Sequence, residues 1–407
     1  MDVMPPGSAA GSEMRHDIVL FAPSEWLVVR GLPENTAMQL ALAGHRVLVV
    51  EPFHTVLSVA RMARLQNRAA EWRAGMRQVA NCLWVWRPPP LGIPGRTRST
   101  LPARLSARLL GLLVRRACRR LGFHKPLAWS FPYETGHTMA TMGAALRVYD
   151  CGDFEAALAG NAQQRQTVIA MEAETCRMAD LVFACTEELA AVLRGHNPNT
   201  FAVPCAADVG YFARAREPDL KVPDDIARLP RPVLGYMGGL DPFKIDVALI
   251  RDIARLRPNW SIAMVGYIWF GFDPATFADV PNVHILGPKE HAMFPAYLKG
   301  MDVGLLPFPD NEITRYGDAL KTYEYLAAGL PVVGRPVPSV RRLPDLVRIA
   351  HNAEDFVRAT EAALAEDEAA REYRRSAIAA HDWRVRVALK LTLIEAALRQ
   401  RQPLAGR

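Results

Sequence analysis

Short apolar runs alternate with helix-length amphipathic stretches along most of this chain. Asp17-Ile-Val-Leu-Phe-Ala22 reads as a strand, residues 33–43 as a helix stopped by Gly44, and His45-Arg-Val-Leu-Val-Val50 as the next strand. Strand, helix and strand at this spacing form a βαβ unit of a parallel sheet. Further strands are predicted at 83–86, 127–130, 146–149, 181–184 and 201–204. Periodicity then fades over about 208–229, where charge and proline accumulate, and this stretch reads as an inter-domain connection.

A second alternating half follows. It opens with Pro232-Val-Leu-Gly-Tyr-Met-Gly238-Gly239, a strand running into a glycine pair. Helices are predicted at 245–257 and 293–299, and strands at 261–265, 283–286, 303–307, 331–334 and 348–350. Helices at 353–364 and 367–380, with a last one after Trp383, close the chain. The expected organisation is a tail (1–14), an N-terminal domain (15–207), a linker (208–230) and a C-terminal domain (231–382). The terminal helix, 383–407, is expected to pack back toward the N-terminal domain. Two doubly wound α/β domains of this kind form a cleft between the carboxyl ends of their sheets, where ligands usually bind.

The length of 407 residues, with 50% hydrophobic and 22% charged residues, suits two domains. No apolar run is long enough for a transmembrane helix. The first fourteen residues read as a disordered tail or tag remnant, not a signal peptide. The six cysteines make no C-x-x-C pair, which fits reduced thiols better than a disulfide framework or zinc site.

The net charge of +7 is unevenly distributed, for no Asp or Glu occurs between Glu71 and Glu134. Residues 101–121 read as a helix within this basic region. At about 100° per residue, Arg104, Arg108, Arg115 and Arg119 share one narrow arc, with Leu105, Leu109, Leu113 and Val114 placed largely elsewhere. The stripe is either a solvated face or a patch for anionic lipid or an anionic acceptor. Nucleic acid is not expected, because no aromatics interleave with the arginines.

The richest stretch is Asp318-Ala-Leu-Lys-Thr-Tyr-Glu-Tyr-Leu-Ala-Ala-Gly-Leu-Pro331. It reads as a short helix with Asp318 as N-cap and Gly329 as its stop. Lys321 falls in the first turn, where free N–H groups and the helix dipole favour an anion. Glu324 is its neighbour one turn on. The pair is either a surface ion pair or a site for a phosphate with a ribose beside it.

These residues resemble glycosyltransferases of the GT-B architecture, two Rossmann-like domains facing a central cleft. The second half is similar to bacterial enzymes related to family 4, including exopolysaccharide and teichuronic-acid transferases. The resemblance rests on Leu234-Gly-Tyr-Met-Gly-Gly239, Asn282-Val-His-Ile-Leu-Gly287, Asp302-Val-Gly-Leu-Leu-Pro-Phe308, Asn311-Glu-Ile-Thr314 and above all Lys321 to Val333. In the first half it rests on Trp26, Arg30, Gly44 to Pro52, Tyr149-Asp-Cys-Gly-Asp-Phe154 and Ala179 to Ala184. It implies a nucleotide-sugar donor, such as a UDP-sugar, with Lys321 on the diphosphate and Glu324 on the ribose. Gly238 and Gly239 would approach the phosphates, Gly266 and Tyr267 would flank the base, and Asn311 and Thr314 would line the sugar. Tyr323 belongs to the same donor-binding set. Many relatives carry a second glutamate eight residues before the first, where this chain has Tyr316.

Transfer with inversion needs a base for the acceptor hydroxyl. Asp153 is the first choice, beyond the end of the 146–149 strand, with Asp150, Glu134 and His137 as further candidates. The competing reading of Asp150 or Asp153 is as cap of a helix starting near Phe154. No metal site or other cofactor is expected, since the helix dipole and Lys321 would offset the leaving diphosphate's charge. The expected partners are a nucleotide-sugar donor, a glycan or lipid-linked acceptor, and an anionic membrane surface. The expected setting is cytoplasmic, on the inner face of the plasma membrane. A nucleotide-sugar epimerase of the same fold and a non-catalytic nucleotide-sugar-binding module are the alternatives.

Overall fold

The computed structural model describes residues 15–26, 31–60, 75–95 and 100–401. The expected tail 1–14 and Arg30 lie outside these residues. The chain divides into two compact units, Met1–Val203 with Arg384–Arg407, and Pro204–Trp383. The stretch expected as a connection therefore belongs to the second unit. It forms short helices at Val209–Ala213 and Asp224–Ala227. Their apolar anchors, Phe212 and Ile226, are buried, which is why a segment without periodicity is still ordered.

The first unit is built on strands β1 (Asp17–Phe21), β2 (Arg46–Val50), β3 (Gly75–Ala80), β4 (Leu83–Arg87), β5 (Leu127–Ser130), β6 (Leu146–Cys151), β7 (Leu181–Ala184) and β8 (Thr200–Ala202). Their order is β3-β4-β2-β1-β5-β6-β7-β8. Every neighbouring pair is parallel except β3–β4. The central strands are continuous buried apolar runs, as a parallel sheet covered on both faces requires. Strand β3 was not foreseen. It is an edge strand with mostly exposed side chains, so it carries no apolar alternation to reveal it.

The second unit holds β9 (Val233–Met237), β10 (Ser261–Val265), β11 (Val283–Gly287), β12 (Val303–Leu306), β13 (Val332–Gly334) and β14 (Val347–Ile349). The order is β11-β10-β9-β12-β13-β14, all parallel. The chain winds one way from β9 to β11 and the other way from β12 to β14. The switch point lies between β9 and β12. The helix Leu320–Ala328 is seated across these strands by Tyr325, whose hydroxyl accepts the Met237 N–H at 2.7 Å. Gly304 makes room for that ring, since a Cβ there would lie 2.4 Å from Tyr325 Cδ2.

A buried ion pair ties the terminal helix Trp383–Arg401 into the first unit. Lys390 Nζ lies 2.6 Å from Asp150 Oδ2, and Trp129 Nε1 donates to the same oxygen at 3.0 Å. Both charged side chains are at most 3% exposed. Removing one partner of such a pair strands the other charge. Lys390→Met is expected to cost about 3–5 kcal/mol in denaturant unfolding. Asp150→Asn combined with Lys390→Met is expected to recover most of that loss. A single-variant cost below about 1 kcal/mol would show that the pair is not the constraint described here.

Candidate functional site

The second unit's candidate site is assembled where β9 and β10 end. After β9 the backbone turns at Gly238, whose N–H donates to Val265 O at 2.8 Å. After β10 it turns at Gly266. Both glycines have φ of +155°, a conformation side chains disfavour. A Cβ on Gly266 would lie 1.8 Å from Gly238 O, and one on Gly238 would lie 2.0 Å from Lys321 Cε. A Cβ on Gly239 would lie 2.2 Å from Trp269 Nε1. The two loops and the Lys321 side chain are therefore in mutual contact, and only glycine permits it.

Lys321 is half-buried, and its ammonium lies 5.2 Å from the centroid of the Tyr236 ring. Glu324 is half-buried one turn further along the same helix. Burial pushes its carboxyl up to about 7, partly offset by Lys321. This is not the environment of a solvated surface ion pair. A cation, a carboxylate and a crowded glycine backbone converge at the first turn of one helix. They can take a phosphate and a hydroxyl-bearing group side by side.

Several expected residues are placed differently. Asp318 does not cap the helix; Ala319 occupies that position without a side-chain bond. The Asp318 carboxylate is instead buried, accepting from Cys205 N at 2.7 Å and from Tyr323 Oη at 3.1 Å, beside Arg342 at 3.2 Å. Burial raises its carboxyl, and Arg342 opposes that rise. Tyr323, expected among the donor contacts, is fully buried in this cluster, its ring tilted against that of His381. It packs the helix and presents nothing to a ligand. Asn311 and Thr314 form a reciprocal capping box on the helix Glu312–Tyr316. The Asn311 amide also donates to Phe243 O at 2.8 Å and the Thr314 hydroxyl to Pro309 O at 2.5 Å. Their side-chain groups are committed to shaping that loop. Tyr267 is 61% exposed beyond Gly266, at the head of an exposed run with Ile268, Trp269 and Phe270.

In the first unit the base candidates separate. Asp150 lies within β6, buried in the pair with Lys390, and is structural. His137 Nε2 lies 3.2 Å from Glu174, which also binds Arg104 at 3.0 Å, so His137 sits beside a carboxylate already held by an arginine. Asp153 lies just past β6 and is half-buried. The one-turn helix that follows starts at Glu155 with Phe154 at its cap and no side-chain bond, so neither aspartate caps it. Among the described residues the Asp153 carboxylate has no hydrogen-bond partner.

A cavity of about 200 Å³ opens at the carboxyl edge of the first sheet, beside β1, β2 and β5. Glu51, Glu134 and Glu155 line it, with Ala103, Ser106, Ala107 and Leu110 of the helix Thr100–Leu121 as one wall. Burial works to raise the Glu51 carboxyl, but Arg87 at 2.6 Å, Trp26 N–H and Arg77 bring it below its ordinary value. Asp153 is not in the cavity's wall. Glu51 and Glu155 were not singled out from the sequence; the one available signal was the position of Glu51 at the end of the β2 run.

The two sheets and their connections are those of a GT-B glycosyltransferase fold. Residues 247–392, including the Lys321 helix, match the family model described as Glycosyl transferase-like. The chain is 28% identical over 262 residues to the putative teichuronic acid biosynthesis glycosyltransferase TuaH of Bacillus subtilis. That match covers 58% of this chain and 63% of the relative, so it spans less than two thirds of that protein. Sucrose-phosphate synthase of Thermosynechococcus elongatus superposes with a TM-score of 0.68 at 17% identity, over 95% of this chain and all of the other. An E. coli trehalose-6-phosphate structure bound with UDP-2-fluoro glucose gives 0.67 at 12% identity, over 94% and 99%. HepE of Anabaena, in complex with UDP and glucose, gives 0.61 at 12% identity, over 94% and 100%. Among the described residues no helix is long and apolar enough to cross a membrane.

The raised Glu324 carboxyl sets a pH dependence. Between 4.5, its ordinary value, and about 7 the folded chain holds this proton more tightly than the unfolded chain. The resulting stabilisation is present at low pH and lost as pH rises through about 7. Glu324→Gln is therefore expected to match the wild type near pH 5 and to exceed it at pH 8 by on the order of 1 kcal/mol. Thermal unfolding of the two full-length proteins at both pH values checks this. A variant less stable than the wild type at pH 8 would contradict the environment assigned to Glu324.

Proposed function

We propose that this protein is a glycosyltransferase moving a sugar from a nucleotide-diphosphate sugar to a hydroxyl of a lipid-linked, polysaccharide or small-molecule acceptor. The observation that carries this reading is the contact of Lys321 with Gly238, closed over by Gly266, beside a half-buried Glu324. The match of residues 247–392, which hold Gly266, Lys321 and Glu324, to a glycosyltransferase family model supports it.

In this reading the Lys321 ammonium and the first-turn N–H groups hold the diphosphate. They offset the charge that develops as the bond to the sugar breaks, so the reaction needs no bound metal. The Glu324 carboxylate accepts hydrogen bonds from the ribose hydroxyls. The exposed Tyr267 flanks the base. Asp153 is the proposed proton acceptor for the attacking hydroxyl, being the candidate carboxylate of the first unit with no committed partner. The first-unit cavity supports transfer over epimerisation, which needs no acceptor.

A thermal-shift panel of UDP-, GDP- and dTDP-sugars is expected to give at least one stabilising donor. With that donor, Lys321→Ala is expected to weaken binding by at least about tenfold while leaving the unliganded melting temperature nearly unchanged. Asp153→Asn is expected to keep the donor-induced shift and to lower turnover by about 10²–10⁴-fold. A panel with no stabilising donor, or unchanged donor affinity in Lys321→Ala, would overturn the donor assignment. Undiminished turnover in Asp153→Asn would remove Asp153 as the base.

A further inference from the structure

The helix Thr100–Leu121 carries an apolar stripe on its solvent side. Leu101, Leu105 and Leu112 are 63%, 44% and 55% exposed. At about 100° per residue they occupy an arc of roughly 40°. Arg104, Arg115 and Arg108 lie along one edge of this arc, and Arg116 and Arg120 along the other, with Arg119 within it. All six arginines are exposed. Arg104 pairs with Glu174; the other five make no ion pair with a described residue. The helix contains no acidic residue. Leu105, expected largely away from the arginine arc, is on this outward face beside it.

A merely solvated face would not place three leucines in line between two rows of arginine. A soluble partner of acidic character would use the arginines but leave the leucines unexplained. A helix with a leucine ridge between cationic flanks matches the boundary of an anionic bilayer, where leucine enters the acyl region and guanidinium groups meet lipid phosphates. We propose that this helix is a membrane-docking surface lying in the plane of an anionic lipid bilayer. Its opposite face, through Ala103, Ser106, Ala107 and Leu110, walls the first-unit cavity. Docking thus sets that cavity behind the helix, one helix diameter (~10 Å) from the bilayer surface, within reach of the head group of a membrane-held amphiphile. This last step rests on the transferase reading; the docking itself does not.

The full-length protein is tested by sedimentation with vesicles of neutral phosphatidylcholine, and with vesicles containing about one third phosphatidylglycerol. Expected is salt-sensitive binding to the anionic vesicles only. Leu101→Ser with Leu105→Ser and Leu112→Ser is expected to weaken that binding at least tenfold, although every arginine remains. Arg108→Gln with Arg115→Gln, Arg116→Gln and Arg119→Gln is expected to do the same. Leu105→Ala with Leu112→Ala is the milder variant if the serine variant does not fold, and should weaken binding severalfold. Three results would overturn the proposal. These are no binding of wild type to anionic vesicles, undiminished binding by the leucine variants, or equal affinity for duplex DNA. A lipid-free dimer that the leucine variants dissolve would assign the stripe to a second copy of this chain instead. Loss of donor binding in the nucleotide-sugar panel would leave the vesicle result standing, so the two readings fail separately.

Discussion

The second unit depends on a single close approach. Gly238 O occupies the space a Cβ of Gly266 would need, and the Lys321 stem occupies the space a Cβ of Gly238 would need. Three chain segments, distant in sequence, are thereby stacked at one sheet edge with backbone in contact. That contact seats the Lys321 stem against the Gly238 turn, one helical turn before the Glu324 carboxyl. The strand order contributes by placing β9 beside the switch point, so the crowded turn falls where such sheets leave a crevice.

The two sheets were legible because parallel strands buried on both faces read as uninterrupted apolar runs, as in Val47 to Val50 and Leu181 to Ala184. The Lys321 helix was legible from its stop: Gly329 adopts φ of +87°, as a glycine after a helix commonly does. Its start was misread, because Asp318 has the chemistry of a cap but is held by Cys205, Tyr323 and Arg342. Cys205 and Arg342 are distant in sequence, and neither is visible in local spacing. Tyr323 was misplaced for a related reason. Position on a short helix gives an angle, and only the surrounding sheet says which angle is inward.

The carboxylates of this chain show how far environment outweighs residue type. Asp150 and Asp153 are three positions apart in one motif, yet one lies inside a strand with a lysine on its oxygen and the other lies beyond the strand's end. Glu51 and Glu324 are both withdrawn from water. Glu51 meets two arginines and ionises more readily than usual, whereas Glu324 has only Lys321 against its burial and keeps its proton nearly to neutrality. Sequence spacing separates none of these cases, because the partners of Asp150 and Glu51 come from the terminal helix and from other strands, and the burial that raises Glu324 does not show in its spacing from Lys321.

The pairing of Asp150 with Lys390 also bears on the order in which the chain is made. The two residues are 240 positions apart, and the whole second unit lies between them. During synthesis β6 emerges long before the helix that neutralises it. Asp150 is without its lysine partner while residues 204–383 are translated. The second unit is continuous in sequence, from Pro204 to Trp383. The first unit therefore completes its buried ion pair only after the helix Trp383–Arg401 has been made.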